Sequence, residues 1–524
     1  MMISKIGHIM KLYPLNKNLI FLVFLYFSSI YLFCITSCER DDYIDENNTF
    51  LLVDSVNISS HSRIYKPFLI TDSIIHVFIP KGEDLKSVSI ELFYKYQEKD
   101  NNSETNCMLL NNCNLSDFLV PYNFLISNKG IQKQYTINVY DIPVLLINSP
   151  EKKRIKSKTE RVEGCKLSLV DESGIYNYLG TAGVRSRGSS SWAQHKRPYN
   201  VKMDEKCKIL GMKKSKHWIL LANCYYDRTQ LHNATALQIA RLTDFDWVPQ
   251  CRFVELILND EHVGLYLICE KIKEGSNKIP IDDDGYLLES TIHDDVENSF
   301  QTSYFFKTGD KFENNLFWEL KYPEDNSLIK KIKKDLNDIE YLIYSEETFA
   351  SGEYRKYLDI ESVINWLLVE NVTLNAESMR TKNMYIYKSN LNGKLKVGPP
   401  WDFDYSTFGL TGVYKLYAWE TTWCFSQLIK DKYFRSRIKQ KWDKVKDAWE
   451  NEIPLFIEEE LSRIFNAAIR NDKMWPDLLN YGYREEYYMG SYLGCVEDMK
   501  NQYLAQLYWM DAYINQVINN DIYW

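Results

Sequence analysis

The feature that most restricts what this chain can fold into is a change of hydrophobic period along its length. Up to about residue 142 the apolar residues recur in short runs. Ile74-Ile75-His76-Val77-Phe78-Ile79 is rich in β-formers and stops at the turn residues Pro80-Lys81-Gly82. Val88-Ser89-Ile90-Glu91-Leu92 and Tyr135-Thr136-Ile137-Asn138-Val139-Tyr140 alternate at period two. Such runs predict a small antiparallel, Ig-like β-sandwich over residues 49–142. No polar cluster stands out there, so it reads as a spacer or interaction module. Residues 143–325 mix strand and helix. Val254–Leu258 and Gly264–Ile268 flank Asn259-Asp260-Glu261-His262 as a hairpin, and Asp227 is placed to cap a helix running to about Leu242. From 326 onward Ile329, Ile332, Leu336, Ile339 and Ile343 mark one helical face, and the last hundred residues carry Trp442, Trp449, Trp475 and Trp509 as core or groove-lining aromatics, with Asn480-Tyr481-Gly482 the clearest turn. The expected fold class is α+β, with a larger domain at 143–524 that ends in helices.

The amino end reads as a targeting segment. Lys5, Lys11 and Lys17 precede an uncharged run from Leu19 to Ile35, the pattern of a secretory signal. The run closes on Ile35-Thr36-Ser37-Cys38, which resembles the lipobox of bacterial lipoproteins. That resemblance implies removal of residues 1–37 and acylation of Cys38, whose several acyl chains would hold the protein to a membrane. An uncleaved spanning segment is the alternative, since the run just reaches membrane-spanning length. Residues 38–48 hold Glu39, Asp41, Asp42, Asp45 and Glu46, an acidic tether similar to the surface-export signal of Bacteroidota lipoproteins. The expected location is the cell envelope, at the outer membrane or cell surface.

A net charge of −8 and the lack of a polybasic stripe argue against a nucleic-acid partner. The 11 cysteines are scattered and none forms a CxxC pair, which argues against a zinc site. Several have apolar neighbours, as in Tyr266-Leu267-Ile268-Cys269, and read as free thiols filling a core.

Three constellations carry chemistry. In Gly398-Pro399-Pro400-Trp401-Asp402-Phe403-Asp404-Tyr405, two carboxylates follow a Pro-Pro turn and can hold a hard divalent cation through oxygen. Upstream lie Asn375-Ala376-Glu377 and Lys382-Asn383-Met384-Tyr385; a base, a metal-binding Asn and a metal-binding Asp follow a comparable order in protein kinases. Arg185-Ser186-Arg187-Gly188-Ser189-Ser190-Ser191-Trp192, followed by His195-Lys196-Arg197, can form a turn whose amides face a phosphate, with Arg187 and Lys196 supplying charge.

Taken in order, RSRGSSSW with HKRPYNVKMD, KHWILLANCYYDRTQLHN, VELILNDEHVGLYLICEKI, DGYLLE and KNMYIYKSNLNGKLKVGPPWDFDYSTFG resemble the spore coat protein H (CotH) kinase-like family, in its Bacteroidota lipoprotein branch, over about residues 143–440. The resemblance implies an atypical protein-kinase-like fold, ATP with Mg²⁺ or Mn²⁺, and phosphoryl transfer to Ser or Thr of a protein substrate. It implies Lys196 as a nucleotide-phosphate ligand, Glu270 as the acid orienting it, and Asp402 as the metal ligand with Asp404 beside it. It also implies Asn375 and Glu377 as the Asn-x-Asp element that carries the base. Three positions depart from the family pattern: Ser189 for Asn, His232 for Arg, and Glu377 for Asp. The last lengthens the base by a methylene, and a misplacement of about 1 Å costs about 10²-fold in rate. The alternative is a catalytically silent surface protein that binds a protein or glycan through the same groove.

Overall fold

The computed structural model describes residues 50–60, 63–97, 103–188, 191–223, 227–291, 298–304, 316–375, 382–405, 407–409, 423–476 and 491–520. Cys38, Glu377 and the 480–482 turn lie outside these residues. Contact density divides the chain into two compact units: residues 1–55, 92–108 and 125–133, and residues 56–91, 109–124 and 134–524. In the first, the described residues belong to strands and their turns, with Lys95 paired to Asp54 at 3.0 Å and Lys129 to Glu104 at 3.4 Å.

The first eight strands are β1 (Phe50–Ser60), β2 (Arg63–Tyr65), β3 (Pro67–Ile70), β4 (Ile74–Phe78), β5 (Val88–Gln97), β6 (Ser103–Cys113), β7 (Tyr122–Asn128) and β8 (Ile131–Tyr140). They form two four-stranded sheets, ordered β2-β1-β5-β6 and β3-β4-β8-β7. The alternation is realised: Val88, Ile90 and Leu92 are buried with Ser89 and Glu91 half-buried between them, and Tyr135, Ile137 and Val139 are buried with Thr136 and Asn138 half-buried between them. One pairing departs from the antiparallel expectation. β4 and β8 run parallel, Ile75 opposite Ile137 and Val77 opposite Val139, and β4 accordingly reads as a buried apolar run rather than an alternation.

Seven strands then close a barrel: β9 (Val144–Asn148), β10 (Val162–Val170), β11 (Tyr176–Ser186), β12 (Tyr199–Cys207), β13 (Ser215–Leu221), β14 (Cys251–Leu258) and β15 (Glu261–Glu270), in the order β10-β11-β12-β13-β15-β14-β9. Closure comes from β9, antiparallel to β10 and parallel to β14. Period-two alternation gives the wall two apolar faces. Leu145, Leu167, Val184, Val201, Trp218, Val254 and Tyr266 fill one cluster. Their strand neighbours Ile219, Phe253, Leu265, Leu267 and Cys269 join another with the helices. Residues 143–325 are mixed as read, with strands predominating over the one α-helix, His232–Arg241, among the described residues. The β14–β15 turn is Asn259-Asp260 with φ of 54° and 68°, a two-residue turn whose left-handed residues match strand twist.

A five-stranded sheet follows, from β16 (Tyr286–Thr291), β17 (Ser299–Phe300), β18 (Phe317–Tyr322), β19 (Tyr385–Lys388) and β20 (Lys396–Val397), ordered β17-β18-β16-β19-β20. The helices are α1 (His232–Arg241), α2 (Ile329–Tyr344), α3 (Glu346–Ser351), α4 (Ile360–Val372), α5 (Phe425–Leu428), α6 (Lys432–Met474) and α7 (Tyr492–Asn520). The N-cap position of α1 is Leu231, not Asp227, but Asp227 Oδ2 reaches from four residues before it to accept from the first helical amide, that of His232, at 2.8 Å. On α2, Ile332, Leu336, Ile339 and Ile343 are buried as their spacing predicts. α4 is buried almost all round, as suits a central helix, and Asp359 caps it by accepting from Ser362 N at 2.9 Å. Trp442 and Trp449 of α6 meet edge to face at 6.0 Å inside this core. No helix among the described residues is long and apolar enough to cross a membrane.

Candidate functional site

The chemistry converges where the ends of β11 and β15 meet β16, β18, β19 and the Pro-Pro loop. A cavity of about 260 Å³ opens there, lined by five cationic side chains, Lys158, Arg185, Arg187, Lys271 and Lys321, and by one carboxylate, Glu289. Glu289 on β16 pairs with Lys321 on β18 at 2.6 Å and faces Tyr385 across the β16–β19 ladder. Arg187 follows β11 and lies over the Trp401 ring at 5.9 Å. Its loop is fastened from both sides: Arg187 N donates to Pro198 O at 3.0 Å, and Trp192 Nε1 donates to Lys156 O at 2.8 Å. Gly188 has φ of 91°, and a Cβ there would meet Ser191 Oγ, so this turn needs glycine.

The loop after Pro400 presents Asp402 in the left-handed region, at φ 70°. Asn383, itself at φ 59°, donates Nδ2 to Asp402 Oδ2 at 2.9 Å. Asn375 Nδ2 reaches the Asp402 carbonyl at 3.4 Å. Asn375 is positioned by the end of α4. Its amide donates to Glu370 O at 3.0 Å and that of Leu374 to Asn371 O at 3.1 Å, a Schellman ending in which Leu374 takes the left-handed position usually given to glycine, at φ 53°. Asp402 and the Asn383 that bonds its carboxylate are thus both left-handed non-glycine residues, a conformation that gathers at functional sites. From the other side Asn233 Oδ1 accepts from Phe403 N at 3.1 Å, and Thr407 Oγ1 bonds the His232 ring at 2.9 Å while donating to Phe403 O at 2.6 Å. Asp404 is half-buried, and its backbone meets the His232 ring.

Electrostatics separate the groups. Burial pushes the Asp402 carboxyl above the ordinary aspartate range; Arg187 opposes this and Glu289 adds to it. Burial, then Lys321, Arg185, Arg161 and Arg187, push the Lys271 ammonium down to about 8. Lys321 among these cations is itself paired with Glu289 and Glu319, each at 2.6 Å. Glu370, fully buried beside Asn375, is pushed well above the carboxylate range by burial, against its hydrogen bond from Asn375 and with the charge of Asp402.

The residues singled out in the sequence are therefore only partly brought together. Asn375 bonds the Asp402 carbonyl and the charge of Arg187 acts on the Asp402 carboxyl, with Asp404 two residues further on. Lys196 and Glu270 have other neighbours. The Lys196 ammonium is buried, donates to the carbonyls of Ala222, at 2.8 Å, and Leu265, and lies 4.5 Å from the Tyr266 ring. Glu270 accepts from Gln250 N at 3.0 Å, and the cations acting on it are Lys278, Lys213 and Arg241. No role was read from the sequence for Lys271, Lys321, Glu289, Arg185 or Glu370. Three of them stand inside the motif blocks, Arg185 at the start of RSRGSSSW, Glu289 at the end of DGYLLE and Lys271 directly after Glu270 in GLYLICEKI, which was the available signal; Lys321 and Glu370 sit in ordinary strand and helix patterns.

The donor set suits a hard cation and phosphate. Asp402 and the Asn375 and Asn383 amides offer oxygen ligands, and the cationic wall offers phosphate partners. Among the described residues no three His, Cys, Asp or Glu side chains converge.

Fold and site define an α+β protein with a cationic pocket set against an Asp-Phe-Asp loop. The chain belongs to the CotH kinase protein family, whose model matches residues 184–516. That match takes in the Arg187 loop, the barrel strands from β12 onward, the Asp402 loop and both long helices. No curated protein matches the sequence.

Proposed function

We propose that residues 143–524 form an atypical protein-kinase-like domain that binds ATP with Mg²⁺ or Mn²⁺ and phosphorylates Ser or Thr of a protein. The observation that carries this is the cationic pocket beside Asp402, in which Lys271 is held down to about 8 by burial and by neighbouring cations. Arg187, Arg185, Lys271 and Lys321 neutralise the phosphates. Asp402, oriented by Asn383, with Asn375 and Asp404 at hand, holds the cation. A metal ion held there would shield the charge of the phosphoryl oxygens. Glu377, which lies outside the described residues, takes the proton of the acceptor hydroxyl. The same reading makes 49–142 an Ig-like module and places the protein in the Bacteroidota lipoprotein branch. There it is held by Cys38 at the outer membrane or cell surface, with a protein substrate and no nucleic-acid partner.

A second reading, a catalytically silent protein that binds a protein or glycan partner in this groove, draws support from the separation of Lys196 and Glu270. Three proteins distinguish the two: native, Glu377→Gln and Glu377→Asp, assayed for autophosphorylation with labelled ATP and Mn²⁺. A working base predicts retained nucleotide binding and lost transfer in Glu377→Gln, since the amide cannot take the proton. A displaced base predicts higher transfer in Glu377→Asp. Near-zero transfer in all three, with nucleotide bound, sinks the kinase reading; equal and substantial transfer in all three moves the base elsewhere.

A further inference from the structure

Cys251 and Cys269 are direct cross-strand partners in the antiparallel β14–β15 ladder. The adjacent pair is hydrogen-bonded, Glu270 N donating to Gln250 O at 2.9 Å. Bonded and open pairs alternate along such a ladder, so the cysteines occupy an open pair. There α-carbons stand about 4.5 Å apart, within the roughly 4.4–6.8 Å a disulfide spans. Both side chains lie on the helix-facing side of the barrel wall with Phe253, Leu265 and Leu267.

The two thiols are unequal. Cys251 lines a second cavity, of about 880 Å³, and Arg241 of α1 donates Nη2 to its sulfur at 3.7 Å. Cys269 is fully buried, and its partner on β13, Ile219, lines the cationic pocket. Contact with Cys269, then Arg241, holds the Cys251 thiol below its ordinary range against burial, whereas burial and Cys251 push Cys269 up. One reachable, cation-stabilised sulfur beside a buried one is the arrangement of an attacking and a resolving thiol. The proposed phosphoryl chemistry uses neither.

We propose that Cys251 and Cys269 form a thiol–disulfide modification site that reacts with a small-molecule disulfide admitted through the larger cavity. With glutathione disulfide, the Cys251 thiolate attacks one sulfur and the glutathione S–S bond breaks. One glutathione leaves as its thiol, and a mixed disulfide remains on Cys251. The Cys269 sulfur gives up its proton and attacks Cys251 Sγ, expelling the second glutathione. The protein loses two protons and two electrons, and one glutathione disulfide becomes two glutathione thiols.

The test is peptide mapping by mass spectrometry of the full native chain, reduced, desalted and incubated with glutathione disulfide. The expected product is a cross-linked pair of peptides carrying Cys251 and Cys269, lighter by two hydrogens than the reduced pair. The Cys269→Ser variant stops at a stable glutathione adduct on Cys251, and Cys251→Ser gives neither product. Exposed Cys107 reports that the oxidant is active. Glutathionylation of Cys107 with Cys251 unmodified in the native protein overturns the proposal, as does an adduct on native Cys251 that never resolves onto Cys269.

Discussion

Arg470→Met should be among the most damaging single changes outside the site. Arg470 of α6 donates Nε to Glu255 Oε1 at 3.2 Å and Nη2 to Glu255 Oε2 at 2.5 Å, and Nη1 donates to Phe118 O at 2.7 Å. It also lies 3.5 Å from Asp141, and both acid side chains are fully buried. Burial by itself would raise the Glu255 carboxyl; Arg470 and then His262, whose Nε2 is 3.0 Å away, overcome it and hold the carboxyl down at about 2. Against an ordinary glutamate near ~4.3, that depression corresponds to about 3 kcal/mol. Because the folded carboxyl titrates below the unfolded one, this stabilisation is complete above about pH 5 and is lost as pH falls toward 2. Removing the guanidinium leaves the carboxylates uncompensated, a change that costs about 3–5 kcal/mol at neutral pH. The Glu255 of the variant titrates higher, so the difference from native shrinks as acid is added. Equilibrium urea unfolding at pH 7.5 and pH 4.5 measures both effects, and Glu255→Gln combined with Arg470→Met should recover much of the loss. A loss below about 1 kcal/mol at pH 7.5 refutes the reasoning, and so does an equal loss at the two pH values.

Nucleotide affinity should fall as pH rises through 8, because Lys271 loses its proton there and only the ammonium pairs with phosphate; Lys271→Gln should weaken binding and flatten that profile in calorimetric titrations at pH 7 and pH 9. Lys196→Met should leave nucleotide affinity within about 2-fold of native while lowering the melting temperature, since a buried ammonium held by two carbonyls acts on the barrel; a large loss of affinity in a folded variant would return Lys196 to the phosphate site. Cys38→Ser should abolish incorporation of labelled fatty acid; label retained in the variant would place any lipid elsewhere.

Much of the architecture was written in local pattern. The hairpin at Asn259-Asp260, the acceptor Asp227 at the first amide of α1 and the buried stripe Ile332–Ile343 each depend on neighbours a few residues away, and each forms as its sequence implies. Barrel closure did not show, because it rests on β9 pairing parallel to β14, a contact more than a hundred residues distant that leaves only a short apolar run in the sequence. The parallel pairing of β4 with β8, whose partners lie about sixty residues apart, was hidden in the same way. In the site, Asp402 and Arg187 stood out because their loops carry unusual residues in tight spacing. Lys271 and Lys321 did not, since a charged residue on or just after a strand looks like any solvated position until the fold turns it inward, and Glu289, though it closes the DGYLLE block, had no partner to suggest its role. The expected pairing of Lys196 with Glu270 joined residues that β15 keeps apart: Lys196 bonds Leu265, five positions before Glu270 on the same strand.

Calorimetric titration of ATP and Mn²⁺ into the purified full chain and its Asp402→Ala variant tests the central claim most directly. The account predicts saturable binding by the native protein that requires the metal, and loss of that binding in a variant whose circular dichroism is unchanged. No binding by the native protein, or equal metal-dependent affinity in both, would contradict it.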